Sequence, residues 1–351
     1  GPTVTALVPM PVLLPILGAA LTVLAARRVN LQRVIAVTVV AAVVALAAVL
    51  LVTTDRSGPI VTAVGGWAAP VGIALVADRL SALLLLVSTL VTMAVLSFAI
   101  DQRVSTAGGR GASTTFHPML LMLTAGVSLA YLTGDLFTLF VAFEVTLTAS
   151  YVLITRSTNA VRIRANMTYV IVSLTSSLLF LTAIAMVYAA TGTVNLADLS
   201  GRVEVLPDGI RTVLALLLLI VFGIKAAVVP LHFWLPDSYP HAPGPVAALF
   251  AGILTKVGFY AILRTQTLLF ERTGRWDLLL VFAAVTMLLG ALGALAQNDL
   301  NRVLSFLLIS HIGFMLFGLA VFDAAGVAAA TLYAAHHITV LASLFLVVNL
   351  I

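Results

Sequence analysis

The stretch "FGIKAAVVPLHFWLP" (residues 222–236) places a lysine, two prolines and a histidine in an otherwise apolar run. A lysine at the centre of a membrane helix costs about 2.5–3.5 kcal/mol on insertion scales, so Lys225 is a candidate functional residue. Pro230 removes a backbone donor, and we expect the helix to break after Lys225. Broken helices at membrane depth line cavities or are buried in protein, and they are typical of ion pathways.

The rest of the chain predicts a membrane setting for this stretch. Of the 351 residues, 62% are apolar and 9% charged, a balance that one water-soluble core cannot accommodate. Strands are not expected, because the apolar runs do not alternate with polar residues. The sequence therefore predicts an all-α polytopic membrane protein. About eleven spans follow from the apolar runs, near 4–26, 31–53, 79–100, 117–133, 135–155, 165–190, 211–231, 243–263, 277–297, 302–321 and 326–350.

The distribution of charge argues against nucleic-acid binding, although the net charge is +5. Basic residues concentrate in alternate connections, which predicts that the N-terminus lies outside. Those connections hold Arg27, Arg28, Arg33, Arg103, Arg110, Arg156, Arg162 and Arg164. The eighth connection, with Arg264, Arg272 and Arg275, departs from the rule. The absence of cysteine excludes disulfides and cysteine-ligated clusters.

Three charged residues fall near the middle of predicted spans: Glu144, Lys225 and Lys256. They could be structural partners in buried ion pairs, or side chains that reach the membrane surface. A carboxylate and an amine that face each other in a low-dielectric interior have coupled protonation states. We therefore favour a proton relay through these residues.

Histidines supply further candidates for the relay. His232 lies seven residues after Lys225, on the same face if the helix continued, and could equally sit at the membrane interface. His336 and His337 point about 100° apart on one helix, so they cannot both bind one metal, and proton transfer is favoured over polar packing. His311 is a weaker candidate. No metal or cofactor site is predicted, because Asp135, Thr138 and Glu144 are too few for a sodium cage and no Gly-rich nucleotide loop occurs.

Four segments together resemble a known family: "GDLFTLFVAFEV" (134–145), "HFWLPDSYPHAPGPVAALFAGILTKVGFYAILR" (232–264), "QNDLNRVLSFLLISHIGFMLFGL" (297–319) and "HHITVLASLFL" (336–346). They are similar to the antiporter-like subunits shared by Mrp-type cation/proton antiporters and respiratory complex I, and most similar to the D-type subunits of Mrp complexes. The resemblance covers nearly the whole chain.

The resemblance implies about fourteen helices, with two inverted five-helix repeats behind three leading helices. On this map residues 1–110 hold the leading helices, 111–265 the first repeat with its half-channel, and 266–351 a second repeat that stops after its third helix. The chain is therefore expected to be a fragment of a longer protein. Glu144 falls on helix 5, Lys225 on a broken helix 7, Lys256 on helix 8, and the paired histidines on helix 11. Many relatives carry a lysine where this chain has Leu341.

Three functions are consistent with these observations. The first, which the resemblance implies, is an ion-translocating subunit of a multisubunit sodium/proton antiporter in a bacterial plasma membrane, with other membrane subunits as partners and the membrane potential as driving force. The second is a proton-pumping subunit of NADH:quinone oxidoreductase or a related redox complex. The third, which Leu341 favours, is a scaffold subunit that transports nothing. In each case the chain is not itself an enzyme.

Overall fold

The computed structural model describes residues 2–103, 109–156, 160–270 and 276–351. Arg272 and Arg275 of the eighth connection lie outside these ranges, and the side chain of Arg110 is likewise not described. The chain divides into two compact units. The first unit comprises Gly1–Asn166 and Ala242–Leu249, and the second comprises Met167–His241 and Phe250–Ile351.

The described residues are mostly helical. In chain order the helices are α1 (Pro2–Thr5), α2 (Met10–Leu24), α3 (Val29–Ser57), α4 (Arg79–Asp101), α5 (Gly109–Leu132), α6 (Leu136–Ile154), α7 (Ala160–Thr191), α8 (Leu196–Glu204), α9 (Asp208–Ala226), α10 (Trp234–Ser238), α11 (Gly244–Leu249), α12 (Thr255–Leu268), α13 (Trp276–Leu295), α14 (Leu300–Val321) and α15 (Ala324–Val348). A π-helical turn, Phe250–Leu254, joins α11 to α12. Two strands, β1 (Ile60–Ala63) and β2 (Ala74–Ala77), lie between α3 and α4.

Ten helical segments in the described ranges are long and apolar enough to cross a membrane, which makes the chain a multi-pass membrane protein. They match ten of the predicted spans. The first predicted span, 4–26, is interrupted: α1 ends at Thr5, and the apolar helix that follows, α2, has only 15 residues. Prolines mark where α2 begins: Pro9 is at the N-cap position, and Pro11 lies in the first turn, where no backbone donor is needed. The total of eleven spans and the repeats stay predictions.

The expectation of no strands is wrong for the connection between α3 and α4. There β1 and β2 pair antiparallel, with Ile60 opposite Ala77 and Ala63 opposite Ala74. A further bridge joins Leu75 to Thr133, at the turn between α5 and α6. Two four-residue strands give too weak an alternation to be separated from the long apolar runs around them.

Acidic or amide side chains cap several helix starts. Asp78 and Ser81 form a reciprocal capping box at the start of α4, with bonds of 2.8 and 2.9 Å. Asp135 accepts from the backbone N–H of Thr138 at 2.6 Å, which places the Asp135 side chain at the start of α6. Each cap satisfies an N–H that would otherwise lack a partner, a requirement that is strict in an apolar environment. Similar caps begin α8, α14 and α15 at Asn195, Asp299 and Asp323.

In the first unit, α2 and α6 both pack against α5, and α3 packs against α2 and α4. Small residues permit the closest approach: a Cβ at Gly126 of α5 would lie 2.3 Å from the Thr146 hydroxyl of α6. Buried hydroxyls also link helices of this unit: the Ser88 hydroxyl of α4 and the Tyr131 hydroxyl of α5 lie 3.1 Å apart.

In the second unit, α9 ends one residue after Lys225, so the predicted break is confirmed. Ala227 adopts a left-handed conformation (φ 62°, ψ 45°). The N–H of Ala227 then donates to Ile224 O at 3.3 Å, and the N–H of Val228 donates to Gly223 O at 2.9 Å. This pair of bonds is a Schellman motif, with alanine at the position where glycine is usual.

Further bonds satisfy the backbone around the break. The indole N–H of Trp234 donates to Ile224 O at 3.0 Å, and the N–H of Val229 donates to the buried Thr286 hydroxyl of α13 at 3.2 Å. Trp234 also belongs to an aromatic cluster with Tyr169, Tyr239 and Phe250, in which ring centroids lie 5.6–6.1 Å apart. The chain after Lys225 is therefore held in place by side chains of α7, α10, α13 and the π-helical turn.

The left-handed residue gives a test of this geometry. Ala227→Gly should raise the free energy of unfolding by about 1 kcal/mol, because glycine adopts positive φ without the Cβ clash. Ala226→Gly, one residue earlier and helical, should lower it by a similar amount. Thermal unfolding of the purified protein measures both. Changes of the same sign in the stability of the two variants would contradict the Schellman motif at the end of α9.

Candidate functional site

Lys225 lies in the last turn of α9, where this helix crosses α12 at very short range. A Cβ at Gly258 of α12 would lie 2.7 Å from Ala226 N, 2.9 Å from Lys225 C and 3.0 Å from Lys225 Cβ. Only glycine allows this approach. The Lys225 side chain is half-buried. The crossing places the lysine at the helix break and against the helix that carries Lys256.

Lys256 is fully buried, at 0% exposure, in the first turn of α12. Its ammonium group donates to Ala251 O at 2.5 Å, a carbonyl in the π-helical turn just before it. π-helical turns inside α-helices disturb the regular backbone ladder and are frequent at functional sites. The described contacts therefore give this buried lysine a backbone carbonyl, rather than a carboxylate, as its hydrogen-bond partner.

The π-helical turn brings α15 close to Lys256. A Cβ at Gly252 would lie 3.1 Å from both Ile338 O and Ala342 Cβ of α15. His337, the residue before Ile338, is 1% exposed, and the charge of Lys256 acts on its ring. Lys256 acts on His311 of α14 in the same way.

Lys256, His311, Tyr333 and His337 form a cluster that we call the lysine–histidine cluster. The rings of His311 and His337 have centroids 4.8 Å apart, and the ring of Tyr333 lies 6.0 Å from each of them. Neither nitrogen of His337 has a hydrogen-bond partner in the described part of the chain, and Nδ1 of His311 also has none. Imidazoles can both accept and donate protons, so these rings could exchange protons with Lys256 through intervening water.

The other two predicted histidines lie in different surroundings. His336 is exposed, with its ring 6.3 Å from that of Tyr333, so the two neighbouring histidines do point in different directions. His232 is half-buried in the turn after the break, close to the backbone of Pro230. The predicted alignment of His232 with Lys225 on one helical face does not occur, because α9 ends at Ala226.

Glu144 lies near the middle of α6, in the first unit. Its side chain is half-buried, and its Oε1 atom is enclosed without a hydrogen-bond partner among the described residues. An enclosed carboxylate oxygen is costly unless a proton, water or cation accompanies it. The pairing of Glu144 with Lys225 stays a prediction.

Two further positions complete the surroundings of the site. Leu341 is 1% exposed on α15, one turn after His337. Asp237 is exposed and accepts from Arg302 at 3.1 Å, and the same guanidinium also donates to Pro236 O at 2.9 Å. No group of three or more His, Asp or Glu residues suited to a metal occurs within the ranges that the structure describes.

Sequence reasoning missed Tyr333 and undervalued His311. Tyr333 is four residues before His337, a spacing that places both on one helical face and could have been noticed. His311 is on a different helix, and no sequence spacing reveals that α14 and α15 meet at these two histidines. The packing of these helices is what brings the residues together.

Comparison with known proteins gives a family match over residues 133–351, to the family described as NADH:quinone oxidoreductase/Mrp antiporter, TM. A protein of Alkalihalophilus pseudofirmus, the D-type component of its Na(+)/H(+) antiporter, is 41% identical over 343 residues. These residues are 97% of this chain and 69% of that protein.

Two solved structures are also similar. A chain in the Mrp complex from Dietzia sp. DQ12-45-1b matches with a TM-score of 0.92 and 36% identity, over 99% of this chain. This chain spans 64% of the length of the Dietzia chain. A chain of the membrane-bound sulfane sulfur reductase, an archaeal respiratory membrane complex, matches with a TM-score of 0.89 and 25% identity, over 98% of this chain and 70% of that one.

The crossing at Lys225 can be tested by adding one methyl group. Gly258→Ala should lower the free energy of unfolding by about 1–3 kcal/mol, because the new Cβ meets backbone atoms of α9 that cannot move without separating the helices. Gly209→Ala is the matched control, since nothing lies within 4 Å of its Cβ position, and it should be neutral or stabilising. Thermal unfolding distinguishes them. A Gly258→Ala protein as stable as the control would show that the helices are not in this contact.

Proposed function

Because the chain belongs to the NADH:quinone oxidoreductase/Mrp antiporter family of membrane subunits, we propose that it is an ion-translocating subunit of a sodium/proton antiporter with several subunits. The named antiporter relatives are transporters rather than enzymes, and the Dietzia match belongs to a multisubunit complex. We place the protein in a bacterial plasma membrane with its N-terminus outside. The observation that carries the proposal is the fully buried Lys256 beside His311 and His337.

The first step that we propose is proton transfer at Glu144 and Lys225. Protons enter from the outer face, and the membrane potential draws them past Glu144. The enclosed Oε1 atom supports this role, because it has a lone pair available for a proton or for water. Lys225 then gains or loses a proton as its interaction with Glu144 forms and breaks.

The second step is transfer through Lys256 into the lysine–histidine cluster. The crossing of α9 and α12 at Gly258 brings the two lysine-bearing helices together, which supports transfer from one to the other. Lys256 passes the proton to His337 and His311, whose adjacent rings provide several sites for it. In this proposal the exposed His336 and the half-buried His232 stand at the two ends of the path.

The driving force is sufficient for exchange. One net charge that crosses a potential of 100 mV releases about 2.3 kcal/mol. At one-to-one coupling this supports a sodium gradient of about fiftyfold. In this proposal protons move through the chain, and the sodium path is left to the complex as a whole.

A second candidate function is proton pumping in a redox-driven complex. The match to a chain of an archaeal respiratory complex, with a TM-score of 0.89, favours it. The same relay would serve, and partner subunits would carry out the redox chemistry.

The first test of the proposal replaces Glu144 and Lys225 separately by alanine. We expect each variant to assemble but to lose sodium/proton exchange, because the relay loses one of its proton-carrying groups. The assay uses everted vesicles from an antiporter-deficient host that contain the full-length protein and its co-encoded subunits. A pH-sensitive dye reports the change in pH inside the vesicles when sodium is added. Immunoblots of the purified complex check assembly.

The responses to sodium and to NADH separate the candidate functions. A sodium-triggered pH change in the wild type, lost in both variants, supports antiport. A Lys225→Ala complex that exchanges at the wild-type rate would falsify the relay. Acidification on adding NADH, with no response to sodium, favours the redox pump, and no response to either favours the scaffold.

A second test uses the two adjacent histidines. His337→Gln should lower the exchange rate at least tenfold, because the ring of His337 is buried against His311 and acted on by Lys256. His336→Gln, at an exposed position, should have a smaller effect. The same vesicle assay compares them. Equal losses would mean that burial in the cluster does not determine the role of these histidines.

A further inference from the structure

A group of polar side chains joins three helices at one end of the first unit. Gln32 of α3 is fully buried, and its amide donates to Thr22 O of α2 at 2.8 Å and to Thr114 O of α5 at 3.3 Å. The end of α2 and the beginnings of α3 and α5 therefore meet here. In the predicted topology this is the inner face of the membrane, since the basic connections lie at this end.

Two arginines and a histidine lie around this junction. Arg33 follows Gln32 on α3, and Arg156 lies just after α6 with its guanidinium 4.9 Å from the centre of the Phe116 ring. The ring of Phe116 contacts that of His117 edge-on, at 5.3 Å. His117 is fully buried, and the charges of both Arg33 and Arg156 act on it. We call Arg33, Arg156 and His117 the inner-face basic cluster.

Several polar atoms at this junction lack partners. Nε of Arg33, Oε1 of Gln32 and both ring nitrogens of His117 are enclosed without a hydrogen bond in the described part of the chain. The Arg33 guanidinium donates to Asn30 at 3.3 Å, but this partner is a neutral amide and does not balance the cation. The Arg33 and Arg156 guanidinium groups both act on the same buried ring, so an anion placed there would be attracted by both of them.

The surroundings of the cluster indicate which anion it would bind. Large apolar side chains on α2 and α3 beside the cluster are exposed: Leu24 at 84%, Leu31 at 42% and Val34 at 62%. In a bilayer these residues face lipid, so the phosphates next to the cluster are those of phospholipids. A phospholipid would cover them with its acyl chains while its phosphate reached the arginines.

We propose that the inner-face basic cluster binds the phosphate of an anionic phospholipid. Arg33 and Arg156 contact the phosphate oxygens, since the planar guanidinium suits bidentate phosphate binding. His117 lies beneath them as the inner wall of the site. The bound lipid would connect α3 to the end of α6, and so would stabilise the first unit at the inner membrane surface.

The test measures thermal protection of the purified full-length protein, together with its co-purifying subunits, in detergent. Phosphatidylglycerol, phosphatidylcholine or inorganic phosphate is added, and the concentration that gives half-maximal protection is recorded. We expect protection by phosphatidylglycerol alone. Arg33→Gln and Arg156→Gln should each raise the half-maximal concentration about fivefold, which corresponds to the loss of one cation near an anionic membrane surface.

The matched control is Arg79→Gln. Arg79 pairs with Asp55 at the other end of α3, at 3.0 Å, and the variant should respond to phosphatidylglycerol as the wild type does. Arg33→Lys retains the charge, so its half-maximal concentration should rise less than that of Arg33→Gln. This comparison separates a loss of lipid binding from a general folding defect. Equal protection by inorganic phosphate or by phosphatidylcholine would overturn the proposal. The proposal would also be overturned if Arg33→Gln and Arg156→Gln both responded to phosphatidylglycerol as the wild type does.

Discussion

The structure depends on one constraint: α9 ends inside an apolar region, where every backbone donor and acceptor needs a partner. The Schellman motif at Ala227 satisfies Gly223 O and Ile224 O, and the Thr286 hydroxyl satisfies the N–H of Val229. Side chains of α10 and α13 therefore complete bonds that the helix itself cannot make. The break holds Lys225 at the point where the backbone is already polar, and this polar environment lowers the cost of placing an ammonium group there.

Close helix crossings place the other charged groups relative to this break. Gly258 lets α12 approach α9 at Lys225, and Gly252 lets α15 approach the π-helical turn. Both glycines flank Lys256, so the helix that bears the buried lysine is in tight contact on two sides. A tightly packed side chain has few alternative positions, so in the proposed path Lys256 exchanges protons only with the groups that face it. The charge of Lys256 acts on the rings of His337 and His311.

Much of this architecture could be predicted from the sequence, and the reasons are local. Apolar runs predicted the long helices, Pro230 predicted the end of α9 near Lys225, and intramembrane charge selected Lys225 and Lys256. The short hairpin at Ile60–Ala77 could not be predicted, since its strands are too short for a clear pattern. The lysine–histidine cluster is also non-local. Its members come from α12, α14 and α15, and only tertiary packing shows that His337 belongs to it while His336 faces outwards.

The role of Leu341 follows from that geometry. Leu341 is one turn after His337 and 1% exposed, so it lies on the buried face of α15 that packs near Lys256. A lysine there would add a second cation to a region that already holds one. Two enclosed cations disfavour each other's charged form, and proton transfer between them would then be coupled. With leucine at this position, the proposed path has Lys256 and the two histidines as its proton-carrying groups. Transfer out of the cluster then depends on His311 and His337, which makes the contact between α14 and α15 as important to the proposed path as the break in α9.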